Sequence, residues 1–200
     1  LSRDHLDYHK TYKDYFNSKL ILFKKLTKRG GIIIYDNDIS YSKTLKKICI
    51  DKKMKSLTIG KKDSNLIIKK HEYVGNLQMV EIEFNKKKYS FATSLIGKIQ
   101  VKNLLFAVLA ASKSKIKFNK IIEFINYIKP VEGRLQSIGN IKNNSKVILD
   151  YAHTPDALKY TLESIREQFN QSSISIVFGC GGDRDKNKRP IMGKIVNQYC

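Results

Sequence analysis

Two stretches of this 200-residue sequence join residue types that can do chemistry at spacings that bring them together. In Val147-Ile148-Leu149-Asp150-Tyr151-Ala152-His153-Thr154-Pro155-Asp156-Ala157-Leu158 an apolar run gives way to a carboxylate and an imidazole. A helix start follows, with Thr154 at the N-cap and Pro155 at the first helical position. At the carboxyl end of a strand in an α/β sheet such side chains face the ligand crevice, which makes Asp150 and His153 candidate ligand contacts. The plainer reading is that both tie the loop to the helix. The second stretch is Gly179-Cys180-Gly181-Gly182-Asp183-Arg184-Asp185-Lys186-Asn187-Lys188-Arg189-Pro190. Its glycines permit positive φ and close approach of a ligand, and its cations open a helix, a suitable place for an anion. A glycine-rich loop alone is weak evidence. Paired with the preceding Asp-Tyr-Ala-His-Thr-Pro-Asp it is much stronger.

At the other end, Ser2-Arg3-Asp4-His5-Leu6-Asp7-Tyr8-His9 crowds two carboxylates and two imidazoles together. Such a set can hold a divalent cation, although a polar helix cap is the commoner origin of it. Lys19 follows, four residues after Tyr15 and four before Phe23, on the apolar face of the helix predicted there. A lysine so placed is expected to be partly desolvated, which raises the fraction of free amine that can react with carbon dioxide. The carbamate would be an oxygen ligand suited to magnesium. Snorkelling of the side chain to the helix edge is the simpler expectation.

The elements that must position these residues alternate. Tyr12, Tyr15, Phe16, Leu20, Phe23 and Leu26 recur at helical spacing over 11–28, ended by Arg29-Gly30-Gly31. Strand 32–35, helix 42–49 and strand 56–59 follow, then strand-like stretches at 66–68, 77–84 and 89–91, the last two joined by a turn at Asn85-Lys86-Lys87. Helices are expected over 101–113 and 119–128. Lys129-Pro130-Val131-Glu132-Gly133 carries the punctuation of a domain junction, placing a boundary between 131 and 132. Beyond it come strand 146–150, helix 156–169, strand 173–178 and a helix from Pro190. The class is α/β.

Composition narrows the functions. The formal charge of +20 raises nucleic-acid binding. Arginine, however, occurs only at positions 3, 29, 134, 166, 184 and 189, whereas bidentate base and phosphate recognition favours it, and the lysines are scattered. Nucleic acid is therefore not the expected partner. No apolar run reaches the length needed to cross a bilayer, and neither a membrane nor a signal peptide is expected. Cys49, Cys180 and Cys200 form no CxxC pair, which suits reduced thiols in a cytoplasmic protein. The chain opens inside a polar motif without an initiating Met and stops in a helical pattern without a cap signal, so we expect an internal fragment.

Taken together, the residues 2–9 cluster with Lys19, Gly133-Arg134-Leu135-Gln136, and the Asp150–Asp156 and Gly179–Pro190 pair resemble the Mur ligases in the right order along the chain. The Asp-Tyr-Ala-His-Thr-Pro form resembles their UDP-N-acetylmuramoyl-tripeptide synthetase branch. That resemblance implies the distal part of a P-loop-type central ATPase domain over 1–131 and the first half of a Rossmann-like C-terminal ligase domain over 132–200. It also implies ATP-dependent addition of a third amino acid, meso-diaminopimelate or L-lysine, to UDP-MurNAc-L-Ala-D-Glu through an acyl phosphate, in peptidoglycan synthesis. ATP and Mg2+ are the cofactors implied, and a monomer is expected.

Residue by residue, the resemblance implies that Lys19 is carbamylated and with His5 holds magnesium. Asn103 would contact adenine, Arg134 would lie near the ATP phosphates, and Asp150 and His153 would meet the nucleotide from the C-terminal domain. Arg184 would pair with a carboxylate of the incoming amino acid, as a planar guanidinium can. The chain departs from the pattern at Gln100, where the family usually has Asn, and at Tyr35-Asp36-Asn37-Asp38, where the family usually has Asn-Ala-Asp-Asp. No GxxGK[ST] loop is present, and the motif that separates diaminopimelate from lysine would lie past Cys200, so the 200 residues alone are expected to be inactive. Two other readings remain: a folylpolyglutamate or cyanophycin synthetase-like ligase, against which the Gly179–Lys186 loop argues, and a basic nucleic-acid-binding module.

Overall fold

A computed structural model describes residues 9–142, 145–181 and 187–200. They fall into two compact units. The first holds residues 19–94 and 100–129, and the second holds the described residues up to 18, 95–99 and those from 130 onward.

The first unit is built on a mixed five-stranded sheet in the order β1 (Ile32–Asp36), β2 (Lys55–Gly60), β3 (Leu66–Val74), β4 (Leu77–Phe84), β5 (Lys87–Thr93). β1, β2 and β3 are parallel, and β3, β4 and β5 antiparallel. β1 and β2 are joined through α2 (Ser42–Asp51), which lies against both and buries Leu45, Ile48 and Cys49. This is the strand–helix–strand unit that the alternation over 32–59 predicts. β4 shows the alternation of a half-buried strand: Gln78, Val80, Ile82 and Phe84 are buried while Leu77, Met79 and Glu81 face out. Its hairpin to β5 turns on Asn85 and Lys86, with φ +51° and +63°. Two successive positive φ values match the twist of the flanking strands. α4 (Phe118–Phe124) packs on β5, and Phe118 stacks on Phe84 with ring centroids 4.3 Å apart.

α3 (Lys98–Ala111) buries Val101, Leu104, Leu105, Val108 and Leu109. Its entry, residues 95–99, belongs to the second unit. There Gly97 (φ +81°) donates its N–H to Gln168 Oε1 at 3.0 Å, and an added Cβ would meet Ser164 Cβ at 2.8 Å, so only glycine fits.

In the second unit β6 (Gln136–Ile141) pairs antiparallel with β7 (Ser145–Leu149). α5 (Pro155–Gln168) and α6 (Lys188–Tyr199) pack together around Leu158, Leu162 and Met192. The N-cap of α5 is as predicted: Thr154 Oγ1 accepts from Ala157 N at 3.3 Å, with Pro155 opening the helix.

Three expectations are corrected. The strand predicted over 173–178 is not one among the described residues: Ile174 and Ile176 pack on the α5–α6 cluster while Ser175 and Val177 face out, so the alternation is present but no neighbouring strand completes a ladder. β6 was not foreseen, because Gln-Ser-Ile-Gly-Asn-Ile carries no apolar alternation and forms only through its pairing with β7. The predicted 11–28 helix is α1 (Tyr12–Ile21) continued by one π-helical turn, Leu22–Leu26. The wider turn rotates the later residues off the apolar stripe, and Leu26 is 69% exposed.

Candidate functional site

In the second unit, the turn at Gly133-Arg134-Leu135-Gln136 and the loop after β7 are held together by one carboxylate. Asp150 Oδ2 accepts from Leu135 N at 2.9 Å, while Oδ1 accepts from Ala152 N and from Thr161 Oγ1, both at 2.9 Å. Leu135 has φ +46°, a left-handed conformation costing a branched residue about 1 kcal/mol. Its bond to Asp150, the burial of its side chain, and the bond from Gly133 N to Gln136 Oε1 at 2.9 Å offset that cost.

This clamp sets three exposed side chains beside one another. The Arg134 guanidinium carbon lies 5.1 Å from the centroid of the Tyr151 ring. Tyr151 also meets the His153 ring edge-on at 5.0 Å, and His153 Nδ1 is 3.1 Å from the Tyr151 carbonyl. Lys188, at the start of α6, donates to the His153 carbonyl at 3.2 Å. The result is a basic and aromatic edge at the N-terminus of α5, where the helix dipole adds positive potential. The arrangement suits a polyanion that also presents a flat or hydroxylated group.

The structure thus brings Arg134, Asp150 and His153 together. Asp150 acts first as an internal tie, which is the plainer of its two predicted roles, and it retains acceptor capacity beyond the three bonds. Tyr151 and Lys188 were not singled out by sequence reasoning. Tyr151 sits inside the quoted motif, but its contact with Arg134 depends on a bond across fifteen residues of sequence that no local pattern shows.

In the first unit, Asn103 is exposed on the second turn of α3. Its neighbour Lys102 makes a 2.5 Å ion pair with Asp36 at the C-terminal end of β1, where Asp36 Oδ1 also accepts from Asp38 N at 2.9 Å. Asp38 in turn accepts from Lys61 N at 3.1 Å, and Asn37 Nδ2 donates to the Asp63 carbonyl at 3.1 Å. Of the residues that depart from the family pattern, Tyr35 and Asp36 therefore end β1, paired with Thr58 and Ile59 of β2, and Asn37 and Asp38 continue into the hydrogen-bonded turn beyond it. Because the Asp36 side chain is only 13% exposed, Lys102→Met should cost about 1–2 kcal/mol, read as a lower urea midpoint of the full-length chain. An unchanged midpoint would make the pair energetically neutral.

Lys19 does not meet the expectation of desolvation. Leu20 alone is buried on α1, Tyr15 and Phe16 are half-buried, and Lys19 is exposed. The covered face is narrower than the apolar stripe, and Lys19 lies outside it. His5 and Arg184 lie outside the described residues, as do residues 182–186 of the glycine-rich loop. Within that loop's described part, Cys180 is half-buried with Sγ 3.5 Å from Met192 Sδ. Among the described residues no three His, Cys, Asp or Glu side chains come close enough to hold a metal ion. Nor is any helix among them long and apolar enough to cross a membrane.

An α/β unit with a mixed sheet, followed by a unit carrying Gly-Arg-Leu-Gln and Asp-Tyr-Ala-His-Thr-Pro on adjoining turns, defines a class of ligase domains. The model of the Mur ligase middle domain matches residues 1–111, and that of the Mur ligase glutamate ligase domain matches residues 133–200. The chain belongs to the Mur ligase family. More particularly, it is 36% identical over 198 residues to the UDP-N-acetylmuramoyl-L-alanyl-D-glutamate–2,6-diaminopimelate ligase of Chelativorans sp. (strain BNC1), covering 99% of this chain and 41% of that one. It is 38% identical over 195 residues to the ligase of the same name from Rickettsia montanensis, covering 97% and 40%. A solved structure of a ligase with that name superposes with a TM-score of 0.70 at 27% identity, over 100% of this chain and 41% of the other. The chain thus spans about two fifths of the length of these relatives.

Proposed function

We propose that the full-length protein is an ATP-dependent amide ligase that adds 2,6-diaminopimelate to UDP-MurNAc-L-Ala-D-Glu in peptidoglycan synthesis. The observation that carries this reading is the Arg134–Tyr151–His153 edge fixed by Asp150, in a chain whose relatives are named for that reaction. The choice of diaminopimelate over lysine is supported by the relatives' names. In this reading residues 1–131 are the distal part of a P-loop-type central domain, and 132–200 the first half of a Rossmann-like C-terminal domain. The full-length protein works as a cytoplasmic monomer, and the 200 residues alone do not turn over.

A carboxylate is a poor electrophile, and ATP supplies the phosphoryl group that makes the substrate carboxylate an acyl phosphate with a leaving group. Around that step the chain's residues bind and orient. Arg134 meets the phosphates with a planar guanidinium, Lys188 and the α5 N-terminus add positive potential without reorganising, and His153 offers ring nitrogens for hydrogen bonding. Asn103, exposed on α3, presents an amide able both to donate to and to accept from a purine edge. Asp150 adds a carboxylate on the nucleotide side, and Arg184 pairs with a carboxylate of the amino acid. The donor chemistry of His5 and a Lys19 carbamate suits magnesium, whose charge would offset that of the phosphates. The described residues supply Lys19 alone of that set, so no further step is assigned to the metal.

The test is ADP release by the full-length chain with UDP-MurNAc-L-Ala-D-Glu, ATP and magnesium, comparing diaminopimelate, lysine and no amino acid. Release dependent on diaminopimelate is expected. Release dependent on lysine would correct the substrate, and no release with either would remove the ligase assignment.

A further inference from the structure

We infer that Tyr151 is a positioning residue for Arg134: its ring face holds the guanidinium in the orientation that receives a nucleotide phosphate. The inference rests on the ATP-binding reading above and deepens it. Arginine side chains carry several rotatable bonds, and an exposed one loses much of that freedom when it engages a ligand. Here the backbone on both sides is already fixed. Asp150 ties Leu135 N, one residue past Arg134, to Ala152 N, one residue past Tyr151, so both side chains leave a single clamped junction. With 5.1 Å between guanidinium carbon and ring centroid, the pair lies within cation–π range. The ring is itself braced by His153, edge-on at 5.0 Å.

Tyr151 is 64% exposed, so burial does not account for an aromatic residue at this position, whereas a platform for Arg134 does. A planar cation lying on a ring face keeps its N–H edge pointing outward, in the plane where two phosphate or carboxylate oxygens can be met together. The ring is thus proposed to act through Arg134 and not by touching the reacting atoms. It is the face that matters, and the hydroxyl should be dispensable.

The experiment is a double-mutant cycle in the full-length chain, reading the Kd of ATP by calorimetry without the amino acid substrate, with kcat and KM for ATP beside it. Tyr151→Leu is expected to weaken ATP binding about two- to fivefold, with the loss in KM and little change in kcat. Tyr151→Phe should stay within about twofold of the unmodified chain. In an Arg134→Ala background, Tyr151→Leu should have no further effect, because its role runs through the guanidinium. Equal losses in both backgrounds, or a loss in Tyr151→Phe matching that in Tyr151→Leu, would overturn the inference. If the unmodified full-length chain bound no ATP, the ligase reading would fail first and this inference with it.

Discussion

Replacing Asp150 with alanine is expected to loosen the second unit around the Arg134 turn by about 3 kcal/mol. The carboxylate accepts three hydrogen bonds, two from backbone N–H groups and one from the Thr161 hydroxyl. Bonds to a charged acceptor are worth about 1.5–3 kcal/mol each, but they are not additive, and the half-exposed site lets water replace part of them. What water does not replace is the fit at Leu135, whose left-handed backbone is held by its bond to Oδ2. Once that bond is gone the residue can relax to negative φ, and the turn carrying Arg134 moves with it. Hydrogen exchange on the full-length chain reads this directly: 3 kcal/mol corresponds to roughly a hundredfold faster exchange of the Leu135 and Ala152 amides. Thr161→Val removes only the hydroxyl bond and should cost about 1 kcal/mol, leaving the Leu135 amide protected. Asp150→Asn should fall between the two, because an amide can offer one oxygen to Ala152 and Thr161 but turns an N–H toward the N–H of Leu135. Unchanged protection of both amides in Asp150→Ala would show that the turn is held by other means.

The parts of this chain legible in its sequence are those whose local pattern and tertiary surroundings demand the same thing. Residues 32–59 read as strand–helix–strand because their apolar runs are interrupted by one amphipathic segment, and the structure buries Ile33, Tyr35, Leu57 and Ile59 with Leu45 and Ile48. β4 reads as a strand because its alternation is complete from Gln78 to Phe84. β6 does not, since a polar strand with Gly139 at φ +150° exists only by pairing with β7. The stretch 173–178 shows the converse: alternation sets which side chains face the core, and only a neighbouring strand makes the ladder. Sequence motifs likewise marked Arg134, Asp150 and His153 as separate candidates without showing that the Asp150 carboxylate joins them. The role of Tyr151 is hidden for the same reason, since two turns fifteen residues apart in sequence become neighbours only through that one bond.

Lys19→Ala in the full-length chain is expected to lower ligase turnover by about 10²–10³-fold, the range seen when one preorganised charge-stabilising group is removed. Lys19 lies on the exposed side of α1 and not on its covered face. Carbamylation at an exposed amine must then be stabilised by what the carbamate binds, which makes the modification depend on a divalent cation and on dissolved bicarbonate. Three results follow. Turnover of the unmodified chain should fall when bicarbonate is stripped and recover when it is restored. Lys19→Ala should ignore bicarbonate, and short carboxylic acids should restore part of its activity by standing in for the missing oxygens. Lys19→Arg, which keeps the charge but carries no amine able to form a carbamate, should behave like the alanine variant. Should Lys19→Arg retain full turnover, Lys19 would be serving as a cation only; should Lys19→Ala do so, it has no part in the reaction.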